Sequence, residues 1–143
     1  MTRLRPGWLV ALCALALSVC AWLPWLTTSA RGGGRASAIG GTVGSIALPP
    51  HFGPGQLIVL LAAVLIVLGA LVAREISPRL AAGAAVVISL LVMALTWWFY
   101  RANVASPVAA GYGLYLGAGC AVGALACSVW ALVSTLREYS SQR

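Results

Sequence analysis

The stretch LIVLLAAVLIVLGALVA at Leu57–Ala73, then REISPR at Arg74–Arg79, then LAAGAAVVISLLVMALTWWF at Leu80–Phe99 decides the architecture. Neither apolar run holds a charged side chain, and each comes close to the roughly 20 residues that carry an α-helix across about 30 Å of hydrocarbon. Between them Pro78 lacks a backbone N–H and disfavours a helical residue before it, while Arg74 and Arg79 resist entering lipid. The pattern predicts two antiparallel membrane-crossing helices joined by a tight hairpin.

Working outward, a third apolar run occupies Gly7–Leu26 and a fourth Gly111–Leu136. The whole chain of 143 residues is 62% hydrophobic and 8% charged, whereas soluble domains carry about a quarter charged residues. A water-soluble domain is excluded on that ground. The expected fold class is all-α: an integral membrane four-helix bundle, N-in/C-in, with one Gly/Pro-rich outer loop. Residues 1–143 read as a single membrane domain, with spans at about 7–26, 57–73, 80–99 and 111–136 and the outer loop at 27–56.

The positive start before Gly7 also fits a signal peptide, with Thr28-Ser-Ala30 as a cleavage-like triplet. The apolar stretch exceeds a typical h-region of about 7–15 residues, and Trp22 and Trp25 crowd the site, so a retained helix is expected. A lipoprotein reading of Leu17-Ser-Val-Cys20 fails because Val stands where a small residue is needed.

The net charge of +7 comes from nine Arg against Glu75 and Glu138. In a soluble protein this balance would suggest nucleic acid. Here the arginines sit at the ends of apolar runs, where they act as topology determinants and contacts for anionic headgroups. With the amino terminus inside, six arginines (3, 5, 74, 79, 137, 143) face the cytoplasm and three (31, 35, 101) face out, which satisfies the positive-inside rule. Most aromatics then map to the outer end, among them Trp22, Trp25, Phe52, Trp97, Trp98, Tyr112 and Tyr115. An interfacial belt accounts for them, and their excess on one side marks an outer-rim surface for a partner or lipid at Trp22, Trp25, Trp97, Trp98, Tyr112 and Tyr115.

The outer loop contains Gly32-Gly-Gly34, Gly40-Gly41, Pro49-Pro50 and Gly53-Pro-Gly55, and reads as a mostly irregular cap. Thr42–Leu48 is its one candidate for a short extended segment or hairpin.

Catalytic chemistry is not legible. Membrane proteins that move protons or ions keep ionisable groups in the hydrocarbon despite the cost, and no apolar run here contains Asp, Glu, Lys, Arg or His in its interior. His51, the only histidine, has no companion ligand or nucleophile nearby in sequence and reads as an interfacial residue before the second span. No enzyme activity, cofactor or metal is expected. Cys13 and Cys20, and Cys120 and Cys127, are each spaced by two helical turns, so antiparallel first and fourth helices bring Cys20 to the depth of Cys120 and Cys13 to that of Cys127. They read as small seam residues, a thiol oxidoreductase being the minor alternative.

Along the fourth run Gly113, Gly117, Cys120, Ala124, Cys127 and Ala131 repeat at 4-3-4-3-4 spacing, a pattern that lets helix backbones approach closely in lipid. Gly7, Ala11, Ala14, Ser18 and Ala21 form a matching stripe in the first run. The expectation is a bundle organised around its fourth helix, with the Leu/Val/Ile-rich second helix largely facing lipid, or with part of the small stripe docking another subunit.

Trp22-Leu-Pro-Trp25, the Gly-rich outer loop, the Arg-bounded hairpin and Gly111-Tyr-Gly-Leu-Tyr-Leu-Gly117 together resemble small four-helix membrane proteins of actinobacteria, including mycobacteria. The resemblance implies a multi-pass plasma-membrane location and a fold, and carries over no functional residue. The leading expectation is a non-enzymatic accessory subunit whose partners are the lipid bilayer and a membrane protein or a second copy of the chain, with no nucleic acid. The alternative is a small transporter or lipid-binding protein with an apolar cavity at the outer rim, where Ser18, Ser89, Thr96 and Ser128 offer hydrogen bonds.

Overall fold

The computed structural model describes residues 5–44, 53–104 and 108–143. Four helices follow one another as α1 (Pro6–Cys20), α2 (Pro54–Ala73), α3 (Pro78–Asn103) and α4 (Tyr112–Ser141). Three of them, α2, α3 and α4, are long and apolar enough to cross a membrane, and α1 is a shorter apolar helix. Proline at the first turn starts α1, α2 and α3, where its missing N–H removes a donor with no intrahelical partner. The α2–α3 hairpin is as tight as the Arg-Glu-Ile-Ser-Pro-Arg sequence predicts, with Glu75 and Ser77 in left-handed conformations at φ 60° and 46°.

The first span ends earlier than expected. Helix α1 stops at Cys20, and Pro24–Thr28 forms strand β1 instead of a last helical turn. At about 1.5 Å per residue α1 is only some 22 Å long. The physical reason lies in Pro24, which has no N–H to donate to the Cys20 carbonyl, and that carbonyl accepts the Trp25 indole N–H instead.

The outer loop is likewise not an irregular cap. It supplies β1, β2 (Gly34–Ser37) and β3 (Thr42–Gly44), and the α3–α4 connection adds β4 (Val108–Ala110). These pair antiparallel in the order β3-β2-β1-β4. Glycine composition pointed to an irregular cap, yet Gly34 and Gly44 lie in strands and others make the turns between them. Gly40, at φ 96°, closes the β2–β3 turn, where its N–H donates to the Ser37 carbonyl. Thr42–Gly44 is extended as expected. The remainder of that segment, together with Pro49, Pro50, His51 and Phe52, lies outside the described residues.

The sheet is fastened to one end of the bundle by two backbone hydrogen bonds and one from a side chain. The Ala38 N–H donates to the Ala21 carbonyl at 3.2 Å, and the Gly111 N–H donates to the Trp25 carbonyl at 2.7 Å. Gln56, in the first turn of α2, donates from Nε2 to the Ile39 carbonyl at 3.2 Å and accepts from the Gly53 N–H. At the opposite end Arg5 pairs with Glu75 at 3.0 Å and donates to the Ala73 carbonyl at 2.8 Å, while Arg79 lies 3.6 Å over the Tyr139 ring. The start of α1, the α2–α3 hairpin and the end of α4 therefore share this hairpin end.

The helices pack in a ring, α1 to α2 to α3 to α4 and back to α1. This corrects the expectation of an α4-centred bundle with α2 in lipid. Ile58, Ala62 and Leu65 of α2 are fully buried, and the tightest backbone approach is α1 on α2. There a Cβ on Gly69 would stand 2.7 Å from the Gly7 carbonyl oxygen and 2.8 Å from the Ala11 nitrogen. The small residues Gly7 and Ala11 of α1 serve α2, because Gly69 and Ala73 leave room for its backbone. Between α3 and α4, Ser89 and Ser128 meet at 3.2 Å, both fully buried, and Ser128 also donates to the Ala124 carbonyl at 2.7 Å.

At the junction of sheet and bundle sits Trp25. The β1–β2 register slips between Pro24 and Leu26, so Trp25 occupies a β-bulge, and Trp25 and Leu26 are buried in succession where a regular strand would alternate. Its indole N–H donates to the Cys20 carbonyl at 2.8 Å and its ring meets Phe99 edge-on at 5.2 Å. Replacing Trp25 by Ala is expected to cost about 3–5 kcal/mol, whereas Trp22→Ala at an exposed position changes stability by about 0.5 kcal/mol or less. Denaturant titration in detergent, followed by circular dichroism, checks the contrast.

Candidate functional site

Chemistry-bearing side chains are few within the helices, so the candidate site is built from shape. Toward the sheet end, α3 and α4 leave between them a groove of about 410 Å³. Met93, Thr96, Trp97 and Tyr100 line it from α3, at spacings of three and four that place them along one helix face. Leu114, Tyr115, Ala118 and Ala121 line it from α4. Both helices bring large side chains to it, Met93, Trp97 and Tyr100 from α3 and Leu114 and Tyr115 from α4, while Ala118 and Ala121 leave its α4 floor low. Its volume lies inside the range of roughly 300–1,000 Å³ typical of small-molecule sites.

Its polarity is low and arranged. Thr96 is buried and donates its hydroxyl to the Val92 carbonyl at 2.8 Å, so the hydroxyl proton is used within the helix. Trp97 stacks on Tyr100 at 5.9 Å and 22°, and the Arg101 guanidinium lies 5.8 Å from the Trp97 ring. An aromatic layer capped by a cation thus forms the α3 wall at the sheet end.

A second hollow of about 340 Å³ lies over the sheet, where Trp22 and Arg35 face Thr42 and Val43. Trp22 and Val43 are 74% and 73% exposed, which leaves this surface with little side-chain cover.

The sequence placed Trp22, Trp25, Trp97, Trp98, Tyr112 and Tyr115 on one outer surface. Five of them are exposed, and Trp25 is not: it is fully buried and presents no surface to lipid or partner. Of the five, Trp97 and Tyr115 wall the groove and Trp22 lines the second hollow. Met93, Leu114, Ala118 and Ala121 were not legible as site residues, because apolar residues beside a groove have the same composition as those inside a core.

The small stripe of α4 divides by role. A Cβ on Gly117 would lie 2.7 Å from the Trp25 ring, and one on Gly113 3.0 Å from it, so these two glycines seat the indole instead of a neighbouring helix. Ala124 and Ala131 are buried in the bundle. Cys120 and Cys127 face α1, where Cys20 lies against Cys120 and Cys13 against Cys127. The pairing inferred from antiparallel depth is therefore the pairing in the structure. Of the hydroxyls offered for a ligand, Ser18 bonds back to the Ala14 carbonyl, and Ser89 and Ser128 bond between helices. Only Thr96 reaches the groove.

Among the described residues no three His, Cys, Asp or Glu side chains converge as a metal set would require. Two thiol pairs can be joined by a two-electron oxidant, which yields a chemical test of the α1–α4 contact. The chain has two methionines, Met1 and Met93, so cyanogen bromide cleavage separates α1 from α4. After treatment with diamide, the cleaved protein is expected to migrate near its intact 14.7 kDa until a reductant splits it. Replacing Cys13 and Cys20 together by Ser should abolish that linkage on a non-reducing gel. Comparison of the chain with known proteins finds no family model, no curated protein and no solved structure that matches it.

Proposed function

We propose that this chain is a non-enzymatic plasma-membrane protein, with the sheet end outside, that holds a hydrophobic ligand of the lipid class in the α3–α4 groove. The observation that carries the reading is the groove itself: an apolar hollow of about 410 Å³ walled by Trp97, Tyr100 and Tyr115. In the orientation favoured by the arginine distribution, these aromatics stand at the outer headgroup level and the groove opens below them toward acyl chains. A lipid chain gains by entering because it contacts protein on several sides where bulk lipid would offer mobile neighbours.

A second reading, an accessory subunit of a membrane assembly, is favoured by the sheet. Strand β3 is exposed at all three residues and lies at one edge of the sheet order, and edge strands accept further strands. Co-purification in mild detergent followed by mass spectrometry tests that reading, and a monomer free of partners under several gentle conditions would count against it.

For the lipid reading, the decisive variant fills the groove. Ala118→Trp is expected to reduce the phospholipid that remains bound after detergent purification by at least about fivefold, with helical content unchanged. Quantitative lipid extraction of wild-type and variant protein measures this, and equal retention would refute the reading.

A further inference from the structure

Charge at the sheet end is unbalanced in a way the groove makes specific. The chain has only two acidic side chains, Glu75 and Glu138. Glu75 pairs with Arg5 at the hairpin end. Glu138 precedes Tyr139, whose ring carries Arg79 at the start of α3, so it lies at that end too. No carboxylate side chain is left for the sheet end, where Arg31, Arg35 and Arg101 are found. Of these three, Arg101 is tied to the groove: it follows Trp97 by one helical turn and lies over that ring, which is itself groove wall.

Resting on the lipid reading above, we infer that the occupant is an anionic glycerophospholipid, its acyl chain in the α3–α4 groove and its phosphate on the Arg101 guanidinium. A guanidinium offers a planar fork of donors that matches phosphate oxygens. Arg101 is exposed and held within cation–π range of the Trp97 face, so its guanidinium stays open to an anion arriving at the groove. Tyr100 and Tyr115, which line the groove, carry phenol groups able to donate to phosphate or ester oxygens. Arg101 also lies in the last turn of α3, where a cation complements the helix dipole. That role needs no lipid, so the test must separate the two.

The protein is purified, freed of endogenous lipid by detergent washing, and titrated with phosphatidylglycerol or phosphatidylcholine of identical acyl chains, with occupancy read by native mass spectrometry. Wild type is expected to bind the anionic lipid about fivefold more tightly, the increment expected for one basic residue near phosphate. Arg101→Gln should reduce the two lipids to near-equal affinity, Arg101→Lys should retain part of the preference, and Arg31→Gln should leave it unchanged. Ala118→Trp, or Ala118→Leu where the larger ring disturbs assembly, should weaken both lipids alike. Glycerol 3-phosphate, which carries the phosphate without a chain, should not compete.

Equal affinity of wild type for the two lipids overturns the inference while the lipid reading stands, provided that Ala118→Trp still weakens both. An anionic preference that survives Arg101→Gln, or that falls equally with Arg31→Gln, shows a diffuse surface potential and also overturns it. Competition by glycerol 3-phosphate replaces the lipid by a soluble phosphate site. Absence of binding by either lipid removes both the inference and the reading beneath it.

Discussion

The seating of Trp25 is the constraint on which the rest depends. A β-bulge turns this residue inward from the first strand of the sheet, its indole N–H donates to the last carbonyl of α1, and its ring fills the space that Gly113 and Gly117 leave on α4 and meets Phe99 of α3. One side chain thereby touches the sheet and three of the helices' segments at the place where α1 ends early. The Trp25 carbonyl also accepts the Gly111 N–H, which brings β4 and the start of α4 into register with β1. Without the indole, a void would open between the end of α1, Phe99 and the glycines of α4.

The opposite end is organised by charge and the middle by close approach. Arg5 and Glu75, and Arg79 over Tyr139, fasten the termini to the hairpin. They are water-accessible contacts, individually weak, and their role is to set which helix ends adjoin. In the interior the chain uses Gly7 on Gly69 and the buried Ser89–Ser128 pair. That economy suits a hydrocarbon solvent, where apolar burial gives little drive for helices to associate and packing plus interhelical hydrogen bonds must supply it. The α3–α4 groove lies where this close packing lapses, between Trp97 on α3 and Tyr115, Ala118 and Ala121 on α4.

Several features were readable without coordinates. The Arg-bounded hairpin, the long apolar helices and the cross-helix cysteine pairs follow from length, hydropathy and a period of two turns, all local properties of the chain. The small-residue stripe of α4 was also visible, but its partner was not. Spacing shows that a helix can be approached closely and leaves open whether a helix or an indole makes the approach. Trp25 was misplaced for a related reason: an aromatic near a span end has the same sequence signature whether it joins an interfacial belt or the core.

What the sequence by itself determined is the number of apolar helices, their connection and their charge balance, because these depend on residues adjacent in the chain. What only the tertiary structure decided is the antiparallel sheet, the burial of Trp25, the ring order of the helices and the groove. Each depends on contacts between distant segments. Strand β1 is formed by pairing with residues as far away as Val108–Ala110, and Gly- and Pro-rich segments have no intrinsic strand preference to announce such pairing. The groove is a gap left between two helices, a property of the pair that neither one carries in its own sequence.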